Sequence, residues 1–376
     1  MRKPLLILFL LFFNILTWAQ VKYEYWDADK KNIKSEDNYR KGIADGKSAQ
    51  WYQNGQLSQL GWYKRGKQDS IWKNFYENGT PKAIQVFKMG WKQGHFLYYN
   101  KGGKLLEERV YKDDRPDSTW TTWYDNGNVR SMESFAYGKL DGAWKYFYAD
   151  GKPETAGNYS NGRKNGEVIN YYSKGNIRSK ENYCNDVPCG RQEEYYESGK
   201  PQWVKEYRDS VGYLMDACND QGSQPVKNGE GFLTISDLNL NLKAGGPYKR
   251  GLRNGVWKFY YKNGQLEYSA TYKDGKVSGP YKAYFEDGKL KSQGLYLDDK
   301  KDSLWGFYVA SGKKEMEGMF KNGLRDGTWT YYFENEKKES EGNFTNDKQN
   351  GAWKYWYKTG ELWKEGSFEN DIKVGL

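Results

Sequence analysis

The stretch Phe135 to Asn158, FAYGKLDGAWKYFYADGKPETAGN, is one copy of a unit that repeats along nearly the whole chain. Each copy begins with an aromatic residue, and the next copy begins 24 residues later. One run of copies begins at Tyr39, Tyr63, Phe87, Tyr111, Phe135, Tyr159 and Tyr183, and a second run begins at Tyr248, Tyr272, Tyr296, Phe320, Phe344 and Phe368. Because a fixed period of this size is typical of solenoids and other arrays, it predicts a repeat protein.

Each copy contains two predicted turns. The first spans Gly138 to Gly142 in the quoted copy and Gly323 to Gly327 in a later one, and the second is Asn or Asp followed by Gly, as at Asp150-Gly151. Asn-Gly and Asp-Gly between hydrophobic runs favour tight hairpins, so each copy is predicted to be one β-hairpin. Successive hairpins are expected to stack into an all-β, elongated single-sheet array of antiparallel β-hairpins.

Aromatic segments lie between the turns. In the quoted copy, alternation along a strand places Trp144, Tyr146 and Tyr148 on one face and Phe147 on the other. Such rings suit a pleated, half-buried surface. The tryptophans at this place in their copies are therefore expected to be buried against neighbouring hairpins, and they include Trp144, Trp257, Trp329 and Trp353.

This pattern resembles the MORN repeat family, in the variant form found in bacterial envelope proteins and in proteins labelled YwqK-family antitoxins. The shared core is aromatic-x-Asn-Gly-x-x-Asp-Gly, with a further Gly shortly before the aromatic residue. The core is seen at Phe320, Asn322, Gly323, Asp326 and Gly327, and the further glycine at Gly318, Gly342 and Gly366. The resemblance covers Tyr39 to Leu376 apart from one break, and departs from the common pattern at Thr328-Trp329. The resemblance implies a fold of stacked hairpins. It does not identify the function, because repeats of this kind occur in proteins with unrelated functions.

Residues 1–19 have the features of a secretory signal peptide. Arg2 and Lys3 precede the apolar run Leu5 to Leu16, and Thr17-Trp18-Ala19 resembles a cleavage site. An uncleaved anchor helix is the alternative, but the apolar run is short for a membrane span. We therefore expect export by the signal peptide, to a periplasmic, outer-membrane-associated or secreted location.

The period divides the rest of the chain into four segments. Residues 20–38 form a degenerate half repeat that is expected to cap the array, because an end hairpin lacks a neighbour on one side. Seven repeats occupy 39–206, an irregular insert or joint occupies 207–247, and five repeats plus a partial C-terminal repeat occupy 248–376. The insert is either a linker between two arrays or a separate contact element.

The insert carries apolar residues with few others nearby to cover them. We expect this group to be exposed and to contact a partner, since exposed apolar groups often mark interaction surfaces. The alternative is that these side chains seal the joint between two arrays. The group comprises Tyr213, Leu214, Met215, Phe232 and Leu233.

Three cysteines occur, and two of them flank the first predicted turn of the seventh repeat. Because residues placed symmetrically across a turn can face each other, and export permits oxidation, a disulfide between Cys184 and Cys189 is predicted. Cys218 is then a free thiol, or it pairs with one of the others. No metal site is expected, because the single histidine, His95, is distant and is interpreted as a turn residue.

Composition favours a binding role over catalysis. Lys and Arg number 59 against 49 for Asp and Glu, a net charge of +10 that is interleaved along every repeat. No triad, phosphate loop or other enzyme signature is present, so neither catalysis nor a cofactor is expected. Binding of nucleic acid is not expected either, because export and the structural need for the rings argue against it.

These features predict a non-enzymatic exported repeat protein that acts as a protein-binding or scaffold module in the bacterial cell envelope. Two alternatives remain open. The first is an antitoxin-like or immunity-like inhibitor, which the resemblance to YwqK-family proteins implies. The second is a protein that binds membrane lipid or an anionic cell-wall polymer, which the net charge suggests.

Overall fold

The computed structural model describes residues 19–236 and 241–375. These residues belong to two compact units, the first ending at Val187 and the second beginning at Pro188. The predicted signal peptide lies outside the described residues apart from Ala19. In both units the described residues form strands and turns and no helix. Each strand pairs antiparallel with its neighbours in sequence, so each unit is built of successive β-hairpins, as the period predicts.

From residue 19 onward, the described part of the first unit contains seventeen complete strands. Two-residue strands are the first segments of longer strands that a bulge interrupts, and they pair with the same neighbour as the segment that follows. The strands are β1 (Ala19–Tyr25), β2 (Ile33–Arg40), β3 (Ile43–Trp51), β4 (Leu57–Lys64), β5 (Lys67–Phe75), β6 (Pro81–Lys88), β7 (Trp91–Lys92), β8 (Gly94–Tyr99), β9 (Leu105–Lys112), β10 (Arg115–Pro116), β11 (Ser118–Trp123), β12 (Val129–Ala136), β13 (Lys139–Phe147), β14 (Pro153–Ser160), β15 (Arg163–Lys164), β16 (Gly166–Tyr171) and β17 (Ile177–Cys184).

The short strand β18 (Val187–Pro188) lies where the first unit ends and the second begins. The second unit continues with β19 (Gly190–Tyr195), β20 (Pro201–Arg208), β21 (Val211–Ala217), β22 (Val226–Lys227), β23 (Glu230–Ser236), β24 (Leu242–Lys249), β25 (Leu252–Arg253), β26 (Gly255–Tyr260), β27 (Leu266–Lys273), β28 (Lys276–Tyr284), β29 (Leu290–Leu297), β30 (Lys300–Tyr308), β31 (Lys314–Lys321), β32 (Leu324–Tyr332), β33 (Lys338–Thr345), β34 (Lys348–Trp356), β35 (Leu362–Glu369) and β36 (Ile372–Gly375).

The first turn of each repeat is shorter than the sequence predicts. In the quoted repeat it consists of Tyr137 and Gly138, with φ of 52° and 84°, and Ala136 pairs directly with Lys139. Two central residues with positive φ define a turn whose twist matches that of the flanking strands. The predicted span of 138–142 is therefore wrong, because Gly142, with φ of 100°, lies inside β13 where the pairing register shifts.

The second turn has a different geometry. The Tyr148 amide donates to the carbonyl of Lys152 at 2.8 Å, and the Gly151 amide donates to the carbonyl of Tyr148 at 2.9 Å. Of the residues in this turn, only Gly151 has positive φ, at 88°. The Asp150 carboxylate accepts a bond from the Lys152 amide at 3.0 Å, and that bond is the main reason why its pKa is lowered. Asp at this turn thus stabilises the backbone by accepting a bond.

A tryptophan ladder fills the inner face. We define this as the face of the sheet that carries Trp144 in the first unit and Trp257, Trp329 and Trp353 in the second. All four are buried, so the sequence prediction is confirmed. The indole of Trp329 lies over Gly318 on the neighbouring strand, and its Nε1 donates to the carbonyl of Met319 at 2.9 Å. A Cβ on Gly318 would lie 2.2 Å from the Trp329 ring. The same arrangement pairs Trp72 with Gly61, Trp257 with Gly246, Trp305 with Gly294 and Trp353 with Gly342.

Side chains at the second turn bind each hairpin to the next. The Tyr124 hydroxyl donates to the carbonyl of Phe147 at 2.8 Å, and Asn126 Nδ2 donates to the carbonyl of Ala149 at 2.6 Å. In the second unit, the Tyr261 hydroxyl makes the equivalent bond to Tyr284 at 2.8 Å. Because each bond joins residues one repeat apart, neighbouring repeats hold one another in register.

We expect Trp329→Ala to lower the free energy of unfolding by about 3–5 kcal/mol, since a fully buried indole is replaced by a cavity. Urea unfolding followed by circular dichroism measures the loss. Trp363→Ala is the matched control, because Trp363 is 53% exposed and its removal should change stability by less than about 1 kcal/mol. Equal midpoints for Trp329→Ala and the parent would show that the ladder does not hold the repeats together.

Gly318→Ala should lower the free energy of unfolding by about 1–3 kcal/mol, because its methyl group would collide with the Trp329 ring. The penalty should largely disappear when Gly318→Ala is added to Trp329→Ala, where no ring remains to collide with. A double-mutant cycle in urea measures this coupling. Gly102→Ala is the control, since its Cβ would meet only Asn100 Oδ1 at 3.3 Å. Additive effects of the two substitutions would contradict the proposed contact.

Candidate functional site

The irregular insert continues the sheet of the second unit. Strand β21 pairs with β20, then with β22 through Ala217 and Val226, and β23 pairs with β24. Backbone bonds also pass through it, since the Gly229 amide donates to the Met215 carbonyl at 2.7 Å and the Gly251 amide donates to the Gly229 carbonyl at 2.9 Å. The described part of the insert is therefore built into the same hydrogen-bonded array as the repeats.

The structure separates the five apolar residues that the sequence groups as a partner contact. Leu214 is buried in a small core with Ala217 and Val226, so the expectation that it is exposed is wrong. The reason is strand alternation, because Leu214 pairs with Lys205 and both face inward. Leu233 is half-buried against the same core. Tyr213 and Met215 are also half-buried, whereas Phe232 is 56% exposed, and partner contact by these four residues stays a prediction.

Phe232 begins a largely apolar and mostly exposed row on the opposite, outer face of the second unit, in which Pro247 and Thr271 are half-buried. It pairs with Pro247, and Leu304 pairs with Met319 further along the sheet. Val256 and Leu304 each directly precede an inner tryptophan in the chain, so strand alternation turns them outward. Thr271 and Met319 lie opposite them on the neighbouring strands and face the same way. We name this row the outer stripe. It consists of Phe232, Pro247, Val256, Thr271, Pro280, Leu295, Leu304 and Met319.

A shallow groove lies along the outer stripe. Its volume is about 380 Å³, and Pro280, Leu295 and Leu304 line it together with Lys314 and Glu317. Leu304 is 55% exposed there. Contiguous exposed apolar side chains of this kind are typical of interaction surfaces. Because successive side chains along a strand point to opposite faces, the residue just before each tryptophan must face outward. An apolar residue at that position is the sequence signal that could have identified this stripe.

Paired polar groups flank the groove. Lys314 Nζ lies 2.7 Å from Glu317 Oε2, and the Tyr332 hydroxyl donates to Glu317 Oε1 at 2.6 Å. Burial, followed by the bond to Glu317, raises the pKa of Tyr332 to about 12. For Glu317 burial acts to raise the pKa, but the bonds from Lys314 and Tyr332 outweigh it and the pKa is lowered. The rim of the groove is thus polar. Lys314 and Glu317 compensate each other, and Lys282 also lines the groove.

The outer face of the first unit carries a shorter apolar group. Ile71 pairs with Val86, and both Ile71 and Trp62 are exposed. His95 follows on β8 in place of an apolar residue, and its Nδ1 lies 2.6 Å from Glu108 Oε1. His95 is therefore a strand residue bound to a carboxylate, not the turn residue that the sequence suggests.

Residues 19–236 and 241–375 contain no cluster of three or more His, Cys, Asp or Glu side chains that could hold a metal ion. Over the same described residues, no helix is long and apolar enough to cross a membrane.

Sequence comparison identifies the family. The profile of the MORN repeat variant matches nine segments, which together cover about half of the chain. The chain therefore belongs to the MORN repeat variant family, whose repeats are generally modules that bind proteins or lipids and are generally non-catalytic. The matched residues are 68–89, 116–137, 140–161, 164–185, 188–207, 253–274, 278–298, 325–346 and 349–370.

Comparison with curated proteins found no match. Two solved structures share 10% identity with the chain. The first, "Crystal Structure of TcdB2-TccC3 without hypervariable C-terminal region", has a TM-score of 0.17, and the match covers 90% of this chain and 20% of that one. The second, "Crystal Structure of TcdB2-TccC3-Cdc42", has a TM-score of 0.13, with coverages of 89% and 24%. This chain thus spans only a small part of either protein, and at these TM-scores neither contributes an argument about it.

Cys184 ends strand β17 and is exposed, Cys189 follows β18, and Cys218 is a half-buried free thiol. The Cys184–Cys189 disulfide stays a prediction. We expect iodoacetamide to label one thiol of the denatured, unreduced protein and all three thiols after reduction, as measured by intact mass. The variant Cys218→Ser should then take up no label without reduction. Three labels on the unreduced parent would contradict the disulfide.

Proposed function

We propose that this chain is a non-enzymatic protein of the bacterial cell envelope, that it is exported by its signal peptide, and that it binds a protein partner through the outer stripe. The observation that carries the proposal is the row of exposed apolar side chains centred on Leu295, Leu304 and Met319. An array needs its inner rings for folding, whereas these outward residues remain 41–55% exposed. Their exposure is best explained by a partner that buries them.

The composition of the groove favours a protein over a lipid surface. Binding to an anionic membrane depends on clusters of uncompensated Lys and Arg. Here Lys314 is paired with Glu317, and Lys338 is paired with Glu341 at 2.5 Å on the next hairpin. Lys282 also lines the groove, but a single cation is not such a cluster. An apolar centre with a polar rim is the usual composition of a protein–protein interface.

Export is supported by residues 1–19 alone. Two cationic residues, an apolar run and a short segment ending in Ala19 follow one another in the order of a secretory signal. A repeat protein delivered across the inner membrane in this way would present its binding face to partners in the periplasm or at the outer membrane.

A photo-crosslinking amino acid at position 304 tests the proposal. In the producing bacterium, we expect the variant with this residue at 304 to form one discrete protein adduct recovered in the envelope fraction. Position 352 is the matched control, because Ala352 occupies the same place in its repeat, two repeats later, and is exposed beyond the stripe. The expected result is an adduct from 304 and none from 352.

Three outcomes would contradict the proposal. Equal adducts from both positions would show non-specific contact, and adducts confined to cytoplasmic proteins would refute export. Salt-sensitive sedimentation of the purified protein with anionic vesicles, weakened by Leu304→Ser, would assign the stripe to lipid binding instead, the alternative that the net charge of +10 suggests.

A further inference from the structure

The seventh repeat is one of several that lack the pairing of tryptophan with glycine, and it lies next to the irregular insert. Gln192 stands at the tryptophan position and Lys205 at the glycine position, and the two are paired in register. On its other side Lys205 pairs with Leu214 of the insert. Because a glutamine and a leucine take the places of two indoles, the inner face is incompletely filled here.

A pocket of about 500 Å³ occupies this place within the second unit. This volume is within the range of sites that bind small organic molecules. Rings and aliphatic side chains form most of its wall, and two cations also line it. The principal lining residues are Trp203, Lys205, Leu214, Leu233, Tyr248 and Arg253.

The ammonium group of Lys205 has no polar partner among the described residues, and it lies over the Trp203 ring, 4.2 Å from Nζ to the centroid. Charged residues at the same position in other repeats have polar partners. Arg109 Nη2 lies 2.7 Å from Glu107, and Glu181 accepts a bond from the Tyr183 hydroxyl at 2.7 Å. Burial lowers the pKa of Lys205, and the charge of Glu194 opposes this shift without direct contact.

Arg253 supplies a second cation to the same pocket. Its guanidinium lies 4.5 Å from the ring centroid of Trp257, and the described residues include no carboxylate in contact with it. Two half-buried cations without carboxylate partners, set among rings, leave a charge that an anion can compensate. The aromatic wall adds preference for a flat, apolar body.

We propose that this pocket binds a small organic anion with a flat aromatic body, whose carboxylate or sulfonate contacts Lys205 and Arg253 while its rings pack against Trp203 and Tyr248. The site is independent of the outer stripe, since it lies on the inner face. It uses no residue that the proposed partner interface needs.

Isothermal titration calorimetry with naphthalene-2-sulfonate tests this site on the full chain. We expect binding by the parent and an increase in Kd of at least about tenfold in Lys205→Met, because a charge-assisted contact is lost. Lys301→Met is the matched control. Lys301 is also half-buried with its pKa lowered by burial, and its Nζ lies 4.6 Å from the Trp305 ring, but it does not line the pocket. Its Kd should stay within about twofold of the parent value.

Titrations with two further ligands separate the contribution of the ligand's charge to binding from that of its ring. Neutral 2-naphthylmethanol and inorganic sulfate should each bind more weakly than naphthalene-2-sulfonate. If circular dichroism shows that the Lys205→Met variant does not fold, the Ile235→Trp variant is used in its place. Ile235 lines the pocket and is 36% exposed, so the larger ring should block the site without entering the core. The proposal is overturned by absence of binding to the parent, by equal losses in both lysine variants, or by unchanged binding in Ile235→Trp.

Discussion

The contact between an indole and a glycine backbone is the constraint on which the rest of the structure depends. At Trp329 the ring occupies the space that a Cβ of Gly318 would fill, and its N–H is satisfied by a carbonyl of the same neighbouring strand. The contact therefore buries a large apolar surface and a polar group together. A single-layer sheet has no second layer to cover its core, and rings laid flat on the adjacent strand supply that cover.

This constraint also explains the composition of the chain. Glycine is needed at one place so that the ring can approach the backbone, and at turns where φ is positive, as at Gly138 and Gly151. Where Glu133 occupies the glycine position, Trp144 is still buried, but its indole N–H has no hydrogen-bond partner among the described residues. The fold thus tolerates the loss of one glycine, at the cost of an unsatisfied donor.

Much of the fold follows from the sequence because the period repeats the same evidence many times. Hairpins, antiparallel pairing and burial of Trp329 could all be predicted from spacing and alternation. The position of the first turn in the quoted copy could not, because Tyr137 adopts positive φ although its residue type gives no signal for it. In a later copy Asn322-Gly323, both with positive φ, carries that signal. The candidate functional site was more difficult to predict from the sequence than the fold. Burial of Leu214 depends on which strand the irregular insert pairs with, and no repeat pattern sets that register.

Specific function in such an array must lie where the folding constraint is absent. The outer position beside each tryptophan is such a place, because the sheet accepts Leu304, Thr328 or Ala352 there without a change in the backbone pairing. The inner face is different, since a substitution there removes the cover of the neighbouring strand. At Lys205 no indole covers the strand, and the pocket occupies the space instead. The small core of Leu214, Ala217 and Val226 lies beside it. An outer surface can thus diversify one residue at a time, whereas an inner pocket requires ring and glycine to be replaced together.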